Sequence, residues 1–345
     1  MFSKIRTLIV PDIGIDLGST TTRVCMKGGD AILEVPSALA VNTSSDRVIE
    51  VGEKAKRYLG RRVGNVMVVS PLKHGRVVDV EIAAAFIRFC LEKVLPRRWW
   101  RKFIKPRITV VVRRGATGVE KCAIEVAGQK AGAGDVRFVE APMAAAVGTG
   151  LPVTERSGCM IVEIGGSSCC AAVVSEAGIV ADRVCPGGDV FDLCIFERLR
   201  TTYNMEIDAA TAESVKKTIG SACHVEPERD MEVEGMDISS DRSRTVMVTS
   251  EEIRKVLAGQ VSLIVKSVCE VIREAGPKYA KGIRNRGIVL SGGGSLLRGL
   301  DEMLAKETGF DVVRVDNPES SSIKGVGAMI GNTCWGVNEQ GKRWQ

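Results

Sequence analysis

Histidine is nearly absent: only His74 and His224 occur in 345 residues, which argues against a His/Cys zinc site. C-x-x-C pairs are missing altogether, although there are 11 cysteines, an odd number. In a long, unsecreted chain that usage indicates reduced thiols rather than a disulfide framework. Cys169 and Cys170 are neighbours, but free cysteine behaves as a small hydrophobe and the pair reads as core packing. Lys4 and Arg6 precede an apolar stretch, Leu8–Val10, that is too short for a secretory core. No apolar run approaches the roughly 18–20 residues that cross a bilayer, so the expectation is a cytoplasmic protein. A Walker-A lysine motif is also lacking. Gly325–Gly331 has the wrong spacing for a dinucleotide fingerprint and reads as a C-terminal helix whose glycines allow close packing.

What is present is the profile of a globular chain, 45% hydrophobic and 26% charged, with a modest net charge of +6. That charge leaves nucleic acid and an anionic membrane surface open as partners. The length suggests two lobes rather than one core. Short Val/Ile-rich runs alternate with longer amphipathic ones, the pattern of an α/β fold. Strands are predicted over Ile13–Leu17, Arg23–Lys27, Ile108–Val112, Met160–Ile164, Ala171–Ser175 and Ile288–Leu290. Helices are predicted over Glu81–Leu95, Gly118–Ala131, Asp189–Tyr203, Ala209–Ile219 and Ser295–Glu307. Thr249 with Glu252 predicts a capping box opening a helix that runs to about Ala275. Residues 226–244 are polar without a clear period and read as an exposed stretch of a smaller subdomain.

A strand, a small-residue turn and a returning strand occur near residue 16 and again near residue 165, which suggests two similar lobes whose turns face each other across a cleft. The first turn is Asp16-Leu17-Gly18-Ser19-Thr20-Thr21-Thr22. Glycine lets backbone N–H groups approach an anion, hydroxyls add donors, and Asp16 could hold a hydrated metal cation. The same residues also suit a plain tight hairpin. The second turn, Glu163-Ile164-Gly165-Gly166-Ser167-Ser168, repeats the logic, and a third element, Ser291-Gly292-Gly293-Gly294-Ser295, lies between a strand and a helix. Three glycines there let a flat ring or a phosphate lie against the backbone.

The order and spacing of these elements resemble the two phosphate loops and the adenosine loop of actin, sugar kinases and heat-shock chaperone ATPases. The fuller likeness is to the MreB-type bacterial actins, and it covers nearly the whole chain. It is carried by residues 13–22, Gly52–Lys56 with Leu59–Arg61, Pro71–Gly75, Pro142–Ala146 with Gly148–Pro152, Gly187–Asp192 and Val289–Asp301. The resemblance implies an actin-like two-lobed α/β fold of duplicated RNase H-like domains with a nucleotide cleft between them. It also implies four subdomains: IA (1–35, 76–149 and 314–345), IB (36–75), IIA (150–187 and 249–313) and IIB (188–248). ATP and Mg2+ are the implied cofactors. Asp16 and Glu163 would hold magnesium through water. Gly18, Ser19, Thr20 and Thr21 would wrap one phosphate, and Gly165, Gly166 and Ser167 the next. Glu213 and Lys216 match the ribose and adenine contacts, and Gly292, Gly293 and Gly294 would back the adenosine. By residue type alone, Glu213 and Lys216 are equally an exposed helix ion pair worth ~0.3–0.5 kcal/mol.

Departures from the family pattern bear on catalysis. Of two adjacent glutamates before Pro-Met-Ala-Ala-Ala, only Glu140 is kept; the position that orients the attacking water is Ala141. The phosphate-2 aspartate is Glu163, its third glycine is Ser167, and Cys169 and Cys170 replace a threonine and a glutamate. The expectation is weak or absent ATP hydrolysis with binding retained, leaving Glu140 and Glu163 as the only candidate catalytic carboxylates.

Residues 96–107 read PRRWWRKFIKPR, with Trp99, Trp100 and Phe103 among cations. Indoles favour the headgroup layer and each cation adds ~1 kcal/mol toward anionic lipid. The family places a membrane-inserting loop in this region. Phe2 and Ile5 share an apolar face with Leu8 and Ile9 if the N-terminus becomes helical on a membrane. The implied partners are other copies of the chain in double protofilaments, the inner membrane face, and membrane shape proteins of the cell-wall elongation machinery such as RodZ, with no nucleic acid. Two rival readings share these residues. One is a non-hydrolysing regulatory paralogue that caps or copolymerises with another bacterial actin. The other is a small-molecule kinase of the same superfamily.

Overall fold

The computed structural model describes residues 10–58, 64–73, 75–95 and 105–330. The chain divides after Leu151 and again after Glu319 into two units. The first contains β1 (Asp12–Leu17), β2 (Thr21–Met26), β3 (Ala31–Pro36), β4 (Leu39–Asn42), β5 (Arg47–Val51), α1 (Glu53–Lys56), β6 (Val66–Val69), β7 (Leu72–Lys73), β8 (Arg76–Val77), α2 (Val80–Val94), β9 (Arg107–Val112), α3 (Gly118–Ala131), β10 (Asp135–Glu140) and α4 (Ala141–Gly148). The second contains β11 (Cys159–Ile164), β12 (Ser168–Ser175), β13 (Gly178–Pro186), α5 (Gly188–Tyr203), β14 (Met205–Glu206), α6 (Ala209–Ile219), β15 (Asp230–Asp237), β16 (Arg242–Thr249), α7 (Ser250–Ala275), α8 (Pro277–Arg286), β17 (Ile288–Ser291), α9 (Leu300–Thr308) and β18 (Val312–Arg314). A last helix, α10 (Ser321–Met329), returns to the first unit.

The main sheets have one topology. In the first unit the order is β10-β9-β1-β2-β3, and in the second β13-β12-β11-β17-β18. Each is an antiparallel three-strand meander extended by two parallel strands. The duplication read from the two turns is therefore a duplication of the whole sheet. Parallel strands must be covered on both faces, which explains the near-continuous apolar runs. In the first unit Ile13, Ile15, Ile108 and Val110 pack with Phe86, Ile87, Leu91 and Ile124 of α2 and α3. Val111 and Cys25 pack with Ala144, Ile323 and Val326 of α4 and α10. In the second unit α7 buries Ile253, Leu257, Val261, Ile264, Val268 and Val271, at helical spacing, in the core shared with Val162, Ile164 and Phe191.

Several helix ends follow local chemistry. Asp79 caps α2 by accepting from the N–H groups of Glu81 and Ile82. The reciprocal capping box is at Thr117 and Glu120, opening α3. At α7 only half of the expected box forms: Thr249 accepts from the Glu252 N–H at 3.2 Å. The Glu252 carboxylate instead accepts from Arg198 Nε and Tyr203 Oη, both at 2.8 Å. Two expectations are corrected. Residues 293–296 form a 3-10 turn and the helix begins only at Leu300. The 226–244 stretch holds most of the β15–β16 hairpin, turned by Asp237, whose Oδ1 accepts from the Ser239 and Ser240 N–H groups at 2.9 Å. Val233, Val246 and Val248 are its buried face, and the run Met231, Glu232, Val233, Glu234 carries the period of two up to its interruption at Gly235.

α4 and α10 meet through glycine. A Cβ at Gly148 would stand 1.8 Å from the Ser321 carbonyl oxygen, and one at Gly325 1.8 Å from that of Ala144. Neither backbone atom can yield as a side chain would. Gly148→Ala is expected to destabilise the protein by about 3 kcal/mol through this forced separation. Gly259→Ala, in the exposed middle of α7 with nothing within 4 Å of the new methyl, is expected to stabilise by about 0.5–1 kcal/mol. Urea unfolding of the pair checks the opposite signs.

Candidate functional site

In α/β sheets ligands bind beyond the carboxyl ends of the parallel strands, and the predicted site residues gather at those ends in each unit. In the first unit β1 hands over to β2 through Gly18–Thr20. A Cβ on Gly18 would lie 2.3 Å from the Thr21 carbonyl oxygen, so the turn admits only glycine there. The turn is pinned from behind: the Thr20 carbonyl accepts from the Ser37 N–H at 2.9 Å and the Ser19 carbonyl from Ser70 Oγ at 2.9 Å. Asp16 lies opposite Arg23 in the β1–β2 ladder. Arg23 itself forks onto Glu34 through two 3.1 Å bonds. Burial pushes the Asp16 carboxyl up to about 6, with the Arg23 charge opposing that rise. A carboxylate in that position is short of positive charge, which fits the hydrated cation the sequence assigned to it.

Glu140 ends β10 and precedes α4 on the same sheet as Asp16. Its two carboxylate oxygens accept from Arg114 Nη1 at 2.9 and 2.7 Å. Ala141, the first residue of α4, packs against the cluster of Val111, Ala144 and Ile323. Its methyl offers no acceptor for a water. Arg114 was not signalled by any motif; its role depends on β10, the strand that follows α3 and pairs with β9.

In the second unit the Gly165 N–H donates to the Ser168 carbonyl at 2.9 Å, closing the turn. The start of α5 docks on it: the Gly188 N–H donates to the Gly165 carbonyl at 2.9 Å and the Asp189 N–H to the Gly166 carbonyl at 2.8 Å. A Cβ on Gly187 would come within 2.5–2.6 Å of the Gly165 and Gly166 oxygens and the Ser168 nitrogen. Ser167 Oγ lies 3.5 Å from Asp189 Oδ2. The third loop stacks against the same turn. Glu163 aligns with Ser291 across β11 and β17, and Cβ atoms on Gly292 and Gly294 would each lie 2.3 Å from Ile164 atoms. At Gly293 the space is open. Glu163, Gly165, Gly166, Ser167, Gly292, Gly293 and Gly294 are thus brought to one end of one sheet.

Lys216 joins them. Its Nζ donates to the Gly188 carbonyl at 3.1 Å and to Asp192 Oδ2 at 2.8 Å. Glu213 instead pairs with Lys217 at 2.7 Å, so the Glu213–Lys216 ion pair offered as an alternative does not form. Asp192 received no site role from the sequence, although Gly187–Asp192 was among the family-like segments. Its Oδ1 is buried without a hydrogen-bond partner, and burial raises its pKa against the pull of Lys216. Lys216→Met would leave that carboxylate uncompensated. A loss of roughly 1–3 kcal/mol is expected at neutral pH, shrinking at acid pH where Asp192 protonates, as measured by urea unfolding at the two pH values. Phe2, Ile5, Trp99, Trp100 and Phe103 lie outside the described residues.

Comparison with known proteins identifies the family and the fold. The MreB/Mbl protein family profile matches residues 10–335. The chain is 38% identical to the cell shape-determining protein MreB of Escherichia coli (strain K12) over 96% of each chain. It is 34% identical to the cell shape-determining protein Mbl of Bacillus subtilis (strain 168), covering 93% of this chain and 96% of that one. Among solved structures, MreB5 of Spiroplasma citri bound to ADP superposes with a TM-score of 0.85 at 29% identity, over 92% of this chain and 95% of that one; an AMPPNP-bound form matches equally. The MamK double helical filament shares the fold, with a TM-score of 0.75 at 17% identity over 91% and 97% of the two chains. The chain belongs to the MreB/Mbl family of cell shape-determining, actin-like proteins.

Proposed function

We propose that this chain binds ATP with Mg2+, polymerises with itself into double protofilaments beneath the cell membrane, and organises cell-wall synthesis while turning ATP over slowly or not at all. The observation that carries the nucleotide reading is the convergence of two glycine loops, the Gly187–Gly188 step and Lys216 at one end of the second sheet. Relatives in this fold hold ADP and AMPPNP.

On this reading the N–H groups of Gly18–Thr21 and Gly165–Ser167 hold phosphate oxygens, and Asp16 and Glu163 hold magnesium through water. Magnesium would supply charge neutralisation at the phosphates. Open space at Gly293 lets adenosine lie on the backbone, with Glu213 and Lys216 toward ribose and base. The carboxylate nearest the family's water-orienting position, Glu140, is engaged by Arg114. That favours a stored ATP over a hydrolysed one. Membrane attachment rests on Trp99, Trp100, Phe103 and the N-terminal Phe2 and Ile5, with a RodZ-type membrane protein as docking partner and the inner membrane face as location.

The test is co-sedimentation with anionic liposomes, with ATP, with ADP and without nucleotide, recording phosphate in the same tubes. ATP-dependent pelleting on lipid with flat phosphate is the expected result. Tight nucleotide binding without self-assembly at any concentration would sink the filament claim and assign the chain to the copolymerising regulators.

A further inference from the structure

Cys169 and Cys185 stand directly opposite each other in the β12–β13 ladder. Antiparallel partners have Cα atoms about 4.5–5.5 Å apart, inside the roughly 4.4–6.8 Å span of a disulfide. Both side chains face the core beneath α7, where Cys169 is fully buried and Cys185 is partly exposed. β13 is the edge strand of its sheet, so Cys185 is the member that solvent reaches. Cys170, the neighbour that the sequence pairs with Cys169, cannot substitute: successive strand residues face opposite sides, Cys170 aligns with Val184, and its thiol is turned toward the Ala171 carbonyl.

We propose that Cys169 and Cys185 form a peroxide-reactive thiol pair that closes to an intramolecular disulfide, with Cys185 as the attacking and Cys169 as the resolving sulfur. The division of roles follows from the surroundings. A hydrogen bond from the Cys169 thiol, against the cost of burial, holds Cys185 below the ordinary thiol range. That same hydrogen bond, with full burial, keeps Cys169 protonated. Thiolate character and access, the two requirements for reaction with peroxide, therefore coincide on Cys185.

The chemistry balances. Cys185 thiolate attacks one peroxide oxygen, the O–O bond breaks, and hydroxide leaves to take up a proton as water. Cys169 sulfur then attacks the sulfenic sulfur, the S–O bond breaks, and the departing oxygen takes the Cys169 proton as a second water. Two thiols are oxidised and one hydrogen peroxide is reduced. Cys169 lies two residues after Ser167, and Cys185 two before Gly187, so the bond would tie together the two strands that carry the glycine turn and the step docked on it.

Hydrogen peroxide treatment of the full native chain, alkylation of remaining thiols and non-reducing tryptic digestion test this. Cleavage after Arg156, Arg183 and Arg198 places Cys169 in peptide 157–183 and Cys185 in peptide 184–198. A link between these peptides, with fragment ions assigning it to Cys169 and Cys185 and reversal by dithiothreitol, is the expected result. Cys170→Ser and Cys194→Ser are expected to keep the link and Cys185→Ser to abolish it. Oxidation confined to the exposed Cys122, Cys185 stopped at sulfenic or sulfinic acid, or a link through Cys159, Cys170 or Cys194 would overturn the proposal. The wild-type result decides without any variant having to fold.

Discussion

Ala141→Glu is expected to raise phosphate release from ATP by about 10²–10⁴-fold, the usual contribution of a positioned general base, with nucleotide affinity little changed. Ala141 is the first residue of α4 and is partly exposed, so a longer side chain can leave the apolar cluster without a cavity or a clash in the core. A carboxylate at a helix start is favoured by the helix dipole. The substitution leaves Glu140 and its Arg114 partner in place. Glu140→Gln is the control: it weakens the Arg114 bonds and is expected to leave the low rate where it was. Restoring the family's phosphate-2 aspartate with Glu163→Asp in addition returns the carboxylate by about 1 Å, a displacement that can cost ~10²-fold in a geometry-limited step. Single-turnover hydrolysis of ATP by the three variants checks the ordering. A rate for Ala141→Glu within twofold of the parent, with nucleotide still bound, would show that Ala141 is not what holds turnover down.

The elements that could be read from the sequence are those whose boundaries are written locally. Gly118–Ala131 is bracketed by Thr117, Glu120 and the left-handed Gly132, and Ala209–Ile219 by Asp208, whose side chain accepts from the Thr211 N–H. The strand–turn–strand pairs at residues 16 and 165 stand out because glycine and hydroxyl residues interrupt apolar runs. Residues 295–299 were misread because Ser295 looks like a helix start. Its hydroxyl instead bonds back to the Gly292 carbonyl at 2.7 Å, and the left-handed Gly299 delays α9. What the sequence hid is what depends on distant partners. Arg114 reaches Glu140, Lys216 selects Asp192 over Glu213, Gly187 fits under the 165–168 turn, and Cys169 pairs with Cys185 rather than with its neighbour. None of these has a local spacing to betray it, since each is set by the register of strands and by helix placement.

Asp16→Asn is expected to act in opposite directions on stability and binding. In the nucleotide-free protein the Asp16 carboxyl titrates at about 6 instead of its ordinary 3.8, because burial disfavours the charged form more than Arg23 supports it. Between those values the folded chain holds a proton that the unfolded chain has released. The stability associated with a neutral Asp16 is therefore complete below pH 3.8 and is lost as pH rises through 6. At 1.36 kcal/mol per unit the loss amounts to roughly 3 kcal/mol at most, and Asn, which never ionises, escapes it. The variant should therefore be more stable than its parent by about 1–3 kcal/mol at pH 8, and the advantage should vanish near pH 4. Adding ATP and magnesium should reverse the order. A ligand at about 100 times its Kd stabilises by ~2.7 kcal/mol, and removing a carboxylate that orients a metal's bound water typically weakens binding about 10–100-fold. Thermal unfolding at both pH values, with and without MgATP, reads both effects. If Asp16→Asn keeps full MgATP stabilisation, Asp16 is a structural acid of the hairpin and the magnesium assignment fails. If it instead destabilises the nucleotide-free protein at pH 8, the ionised carboxylate is held there by the fold itself rather than kept for a ligand.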